Sequence, residues 1–270
     1  MKRCLAICAL VALGSAAVRA DVTVMTEVTI DGPMAAMMGG AMPRMTMRVK
    51  GTKARMDFQV MGQSMSTITD LTARQVTVLM ASQKSTQVFD ADRLQAGAAA
   101  TPRLEVTFDP TGQTQTIAGQ LCDQYGFSTS MDITQMASLT SQLPKEAAEM
   151  LKGARVVTKG TVWVAKSGPG AAEYTAFMKA ATAANLASPN VPGFGGATGN
   201  FDEILRLFGR VDGIAYLSEV EVSLEGTAPI VEMLKQLATM KLTNKVTEMS
   251  VTPIADDLFV VPADYTVSKP

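Results

Sequence analysis

Thr111-Gly-Gln-Thr-Gln-Thr-Ile-Ala-Gly-Gln-Leu-Cys-Asp-Gln-Tyr-Gly-Phe127 reads as turn, strand, turn, strand. Asp109-Pro110-Thr111-Gly112 opens it with residues that favour chain reversal, and Ala118-Gly119 punctuates its middle. Alternation places Cys122 on one side of the second strand and Leu121, Asp123 and Tyr125 on the other. Short extended segments separated by turns in this way belong to an antiparallel sheet.

The chain before this stretch repeats the pattern. Val22, Val24, Val28 and Ile30 alternate with Thr23, Glu27 and Thr29, and Asp31-Gly32-Pro33 ends that strand. A methionine-rich insert without a clear period occupies 31–47. Strands are then expected over Met45–Lys50, Arg55–Met61, Ser64–Thr69, Val76–Met80 and Thr86–Phe89. Turns fall at Gly51, Gly62, Asp70-Leu71-Thr72-Ala73 and Ser82-Gln83-Lys84. Such spacing makes a meander.

Helical periodicity enters only afterwards. Ile133, Met136, Leu139 and Leu143 start one amphipathic helix, which Pro144 interrupts and Lys145–Leu151 resumes, with Gly153 as its C′ residue. Arg155–Lys166 is a strand carrying Trp163. Ser167-Gly168-Pro169 then opens a helix whose Tyr174, Phe177, Met178 and Ala181 share a face, and Pro189 stops it. The glycine- and proline-rich loop 188–199 is a candidate lid. A short helix carries Ile204, Leu205 and Phe208, and another carries Ile230, Met233, Leu234 and Leu237. Between and after them lie strands over Ile214–Glu225 and Lys241–Thr252. Leu258-Phe-Val-Val-Pro-Ala-Asp-Tyr265 reads as a short apolar strand closed by a proline turn. One extended antiparallel sheet with helices inserted in its connections fits this order, an α+β class.

Composition sets the compartment. Lys2 and Arg3, an apolar run from Cys4 to Val18, and Val18-Arg19-Ala20 form an export signal expected to be cleaved after Ala20. The run is shorter than the ~20 residues a membrane span needs, and Cys8 lacks a lipobox context. The mature chain, 21–270, is expected as one exported domain, periplasmic or secreted and not integral to the membrane. Removing Lys2, Arg3 and Arg19 from 24 basic residues leaves 21 against 25 acidic ones, a formal net charge of −4. With no basic patch, nucleic acid is not an expected partner. Cys4 and Cys8 leave with the signal, so Cys122 has no intramolecular disulfide partner and reads as a buried small hydrophobe.

Three pieces together carry a resemblance. Thr116-Ile-Ala-Gly-Gln-Leu-Cys-Asp-Gln-Tyr125 resembles the Gly-x-x-Cys-x-x-Tyr signature of an uncharacterised bacterial exported family, a domain of unknown function, here at Gly119, Cys122 and Tyr125. Gly160-Thr-Val-Trp-Val164 resembles that family's following strand, and Phe259, Pro262 and Tyr265 its terminal Phe-x-x-Pro-Ala-x-Tyr. The family is similar in architecture to the periplasmic lipoprotein carriers LolA and LolB. The resemblance implies a strongly curved antiparallel sheet, an open half-barrel whose concave apolar face, covered by helices, holds acyl chains.

The chemistry is narrowed by an absence. The chain has no histidine, which removes Ser-His-Asp and Cys-His nucleophilic systems and His-containing zinc sites. No catalytic residue and no cofactor is assigned, and the expectation is a protein that is not an enzyme. It is expected to bind a hydrophobic ligand, a lipid or acyl chain, or an envelope component. One alternative is Cu(I) binding by soft thioethers in the methionine-rich insert, with Met42, Met45 and Met47 as candidate ligands. The other is an envelope interaction protein without a ligand.

Overall fold

The computed structural model describes residues 21–33, 44–60, 63–91, 105–133, 151–187, 211–227, 231–232 and 239–268. The strands are β1 (Val22–Asp31), β2 (Arg44–Lys50), β3 (Lys53–Val60), β4 (Gln63–Asp70), β5 (Gln75–Met80) and β6 (Ser85–Asp90). They continue with β7 (Glu105–Ile117), β8 (Gln120–Asp132), β9 (Ala154–Ala165), β10 (Ile214–Gly226), β11 (Met240–Ser250) and β12 (Thr266–Ser268). All twelve form one sheet in the order β12-β6-β5-β4-β3-β2-β1-β11-β10-β9-β8-β7. The sheet is not closed into a barrel, and β12 and β7 are its edges. Every pairing is antiparallel except β12 with β6, which is parallel.

The architecture is two meanders joined in mid-sheet, where β1 pairs with β11 from Thr23↔Ser250 to Asp31↔Lys241. Helices occupy less of the described chain than the α+β expectation had them do. Among the described residues one α-helix, α1 (Ala171–Ala183), accompanies two 3-10 turns, so the described fold is mainly β. Most of each helix expected at 133–151, 200–208 and 230–237 lies outside the described residues, as does loop 188–199.

Helix α1 buries the expected face. Phe177 and Ala181 join the first apolar cluster, with Tyr174 and Met178 packed against it. Its end comes before Pro189. Asn185 takes φ 56°, and the Leu186 amide reaches back to the Ala181 carbonyl at 2.8 Å. A left-handed residue followed by a hydrophobic one is the Schellman arrangement, and Leu186 is 1% exposed in the second cluster.

The first cluster ties the two meanders together. It unites Val22, Val24, Val49 and Ala54 of β1–β3 with Cys122, Trp163, Ala165, Ile214 and Tyr216 of β8–β10. The second cluster lies under β4–β6 and includes Met65, Val76, Val78 and Phe89.

Two local expectations change. Asp109-Pro110-Thr111-Gly112 does not reverse the chain; it is an irregularity inside β7. Pro110 pairs with Tyr125 and Thr114 with Asp123, so Thr111, Gly112 and Gln113 face Gln124 alone. Turn residues are absorbed as a bulge because the Thr111 hydroxyl donates to the Gln124 carbonyl at 3.2 Å and Gly112 supplies φ 79°. The reversal comes at Ala118-Gly119, with φ 48° and 80°, the two positive values that a two-residue hairpin turn of type I′ requires.

The second change is at Leu258–Tyr265, which is not a strand. Residues Asp256–Phe259 form a 3-10 turn, and the Tyr265 amide donates to the Pro262 carbonyl at 3.1 Å. Pro262 has no amide to contribute to a ladder. Regular pairing therefore begins only at Thr266. Met45 and Met47 belong to β2, where the strand expected over Met45–Lys50 has them.

Candidate functional site

Leu71 begins the turn between β4 and β5, in a segment otherwise made of turn residues. Its amide donates to the Thr52 carbonyl at 3.0 Å, linking that turn to the Gly51-Thr52 turn of the β2–β3 hairpin. Asp70 accepts from the Thr72 and Ala73 amides, both at 2.9 Å, and the Thr72 hydroxyl donates to that of Thr52 at 3.1 Å. Two turns are thereby locked into one wall. Burial alone would raise the Asp70 carboxyl, but those amide bonds and Lys53 outweigh it and hold it below the usual carboxylate range.

Helix α1 supplies the opposite wall. Its buried face anchors it to the sheet, so the neighbouring face, with Ala172, Ala176 and Ala180, borders the wall formed by the turns. Between them lies a crevice of about 360 Å³ lined by Val49, Leu71 and Phe177, those alanines, Gly51, Thr52 and Glu173. Small side chains on the helix keep the space open, while Val49 and Phe177 make its floor apolar. Tyr174, packed against the first cluster, has its phenol pushed up to about 12 by burial. It therefore stays a neutral phenol across the physiological range.

Alongside, one side of β2–β5 is rich in methionine. Met47 pairs with Met56, Phe58 with Met65, and Met65 with Met80. Thioether side chains are unbranched and adapt to irregular apolar shapes.

The positions singled out in the sequence do not converge on this crevice. Met45 and Met47 share one side of β2, and Met42 lies outside the described residues. Cys122 is fully buried beside Trp163, donates to the Gln120 carbonyl at 3.5 Å, and has its thiol pushed up by burial. Such a thiol is a poor nucleophile. Tyr125 stacks on Phe108 with ring centroids 5.3 Å apart, and the Lys166 ammonium lies 5.5 Å from its ring. Asp123 holds Lys166 at 2.8 Å, and that bond, with Tyr125, raises the lysine above its ordinary range. Gly119 serves the hairpin turn. Phe259 and Tyr265 pack with Ile68, Leu79 and Ile254 in a separate cluster on the other half of the sheet. These positions hold the fold together in two distant places.

Sequence reasoning missed the crevice because its walls come from segments brought together by sheet register. One signal was present: Leu71 is an apolar residue inside a turn, where its burial needs a partner that the turn cannot supply.

A second concavity, about 860 Å³, opens on β7–β11. Asp31, Asp109, Lys159, Glu219, Glu221 and Lys241 are among its lining residues. Their neighbours in sequence, Phe108, Val220 and Leu242, pack with Phe127 in an apolar cluster. Among the described residues no group of three His, Cys, Asp or Glu side chains is arranged to hold a metal. No helix of those residues is long and apolar enough to cross a membrane.

Residues 31–150 match the model of a family described as a domain of unknown function, DUF4412. The match includes Gly119, Cys122 and Tyr125 and ends before Trp163. No curated protein matches the sequence. Among solved structures, the chain is similar to an uncharacterized conserved protein from Thermus thermophilus, with 7% identity, 94% of this chain and 92% of that one covered, and a TM-score of 0.36. It is also similar to the Mycobacterium tuberculosis lipoprotein LppX, with 9% identity, coverage of 86% and 88%, and a TM-score of 0.32. Neither likeness carries a function to this chain.

Proposed function

We propose that this protein is an exported, non-enzymatic binder of a hydrophobic ligand of the acyl-chain class, held in the crevice between α1 and the β2–β3 and β4–β5 turns. The observation that carries this reading is the crevice itself, apolar in its floor and framed by turns that are hydrogen-bonded to each other. Its volume lies within the ~300–1,000 Å³ typical of small-molecule sites. Each methylene withdrawn from water contributes about 0.8 kcal/mol, so about six in contact supply about 5 kcal/mol before the costs of ordering. The methionine-bearing strands beside the crevice extend the apolar surface with side chains that mould to ligands of different length. Glu173 at the rim favours a neutral or cationic head group over an anionic one.

The test is ligand uptake by the purified protein. A fluorescent neutral acyl probe is expected to bind, and Ala176→Trp, which projects an indole into the crevice, is expected to abolish uptake while leaving thermal unfolding unchanged. Native mass spectrometry of protein purified from an envelope fraction is expected to show a co-purifying lipid. Absence of both signals, or uptake that Ala176→Trp leaves intact, overturns the assignment.

A further inference from the structure

Five methionines share one side of the β2–β5 strands, and packing among the described residues accounts for only some of them. Met65 belongs to the second apolar cluster, Met80 packs against it, and Met47 packs against the first. Met45 and Met56 are half-buried, yet neither belongs to any apolar cluster of the described residues. Both flank Met47. Met56 is its direct cross-strand partner. Met45 lies two residues before it, opposite Thr26 of β1, and so points to the same side.

Directly paired residues place their Cβ atoms about 4.5–5.5 Å apart. Residues two apart along a strand are about 6.6 Å apart. A methionine side chain has three rotatable bonds beyond its Cα, enough for three sulfurs from such positions to meet above Met47. The donor set is then three neutral thioethers with no carboxylate, imidazole or thiolate. Soft ligands of this kind select Cu(I) over the harder divalent ions.

We propose that Met45, Met47 and Met56 form a three-coordinate thioether site for Cu(I). The structure thereby replaces Met42 of the sequence-derived set with Met56, a residue distant in sequence but adjacent in register. The site goes beyond the ligand crevice and does not depend on it. On both neighbouring strands the charged residues Arg48 and Asp57 alternate to the opposite side, where they pair with each other. Met56 and Phe58 share the near side, so the ion sits on an apolar, uncharged surface. Thioethers bind without losing a proton, and binding accordingly keeps its strength on mild acidification, unlike a histidine or thiolate site.

The experiment uses the purified protein labelled with methionine carrying ¹³C in its methyl group, titrated with Ag(I) as a closed-shell probe. A parallel anaerobic titration with Cu(I) runs against a competing chelator. One equivalent is expected to shift the methyl resonances of Met45, Met47 and Met56 together, with affinity tighter than about micromolar and unchanged between pH 7 and 5. Met45→Leu and Met56→Leu are each expected to weaken binding about tenfold or more, since losing even a supporting group near a metal costs that much. Met65→Leu and Met80→Leu are expected to leave it intact. Binding weaker than micromolar, affinity unchanged in the Met45→Leu/Met56→Leu double variant, or shifts confined to the methionines at 34–42 overturns the site. The wild-type resonance pattern decides the question even if a variant fails to fold.

Discussion

The two halves of the sheet bury apolar surface in different materials. On β2–β6 the strands are six to eight residues long, and methionines are frequent on the side that meets α1. On β7–β11 the strands run eleven to thirteen residues, and the side opposite Cys122 and Trp163 is aromatic and β-branched: Phe108, Tyr125, Phe127, Val162, Val164 and Val220. Valine and phenylalanine have few rotamers and fill space in one way, whereas methionine has many and fills it in several. The long-stranded half is therefore the part that specifies a single structure, and the short-stranded half is the part that can change its contents.

The outer side of the short-stranded half shows how its looseness is contained. Arg55 donates to Asp57, to the Ser66 hydroxyl at 3.0 Å and to the Leu258 carbonyl at 2.8 Å. Lys50 donates to the Ile254 carbonyl at 2.6 Å and pairs with Asp256. The C-terminal segment is thus strapped across β2–β4 by charge-assisted bonds, opposite the methionines. Polar bonds fix the backbone where apolar packing leaves freedom.

This contrast can be broken at its rigid end first. Phe127→Ala is expected to cost about 3–5 kcal/mol, read from the urea midpoint, because the ring is 4% exposed and its neighbours cannot collapse. Gly160→Ala comes next, at about 1–3 kcal/mol. An added Cβ would overlap the Glu219 carbonyl oxygen and stand 2.8 Å from the Phe127 ring. In the double variant the second penalty should shrink without vanishing, since the backbone overlap persists.

A third measurement concerns the strap. Burial alone would raise the Asp57 carboxyl, but the Ser66 hydroxyl, Arg55 and Arg48 outweigh it and hold it below the ordinary carboxylate range. A depressed folded-state value stabilises the fold above the unfolded value of about 3.9 and is lost as pH falls through the folded one. Acidification below about pH 4 is therefore expected to destabilise the protein less steeply in Asp57→Asn, as seen in unfolding midpoints collected across pH.

Smaller effects sharpen the other end. Met56→Leu is expected to cost under about 1.5 kcal/mol, a volume-conserving change in an adaptable surface. A cost comparable with that of Phe127→Ala would refute the distinction between the halves. Ala118→Asn is expected to gain about 0.5–1 kcal/mol in the same assay, because alanine is strained at φ 48° and asparagine suits that position of a type I′ turn.

Alternation made most strands legible. Val22–Ile30 and Ile214–Glu225 stand almost where their patterns put them, and buried positions alternate with less buried ones at the start of the first and along most of the second. What the pattern does not encode is partnership. Nothing in Val24 or Met249 announces that they are neighbours, and the crevice under α1, like the pairing of Met47 with Met56, exists only through such pairings. Turn chemistry was ambiguous for a related reason. Asp109-Pro110-Thr111-Gly112 favours a local bend, and whether a bend reverses the chain or bulges a strand depends on the strand beside it. The end of the chain was misread because Phe259 and Tyr265 are apolar for packing across the sheet rather than for a place in it.

The position of β1 has a consequence for the order of events during folding. It lies between β2, its neighbour in sequence, and β11, which is almost the whole chain away. Contacts that distant are closed slowly, because the intervening chain must lose its freedom before they form. Until residue 250 emerges, the first meander presents β1 as a bare hydrogen-bonding edge, and the second presents β10 as another. The seam between them therefore closes late in synthesis, before only the short β12–β6 pairing, and truncation before β11 would leave β1 and β10 as exposed edges that invite pairing with other chains.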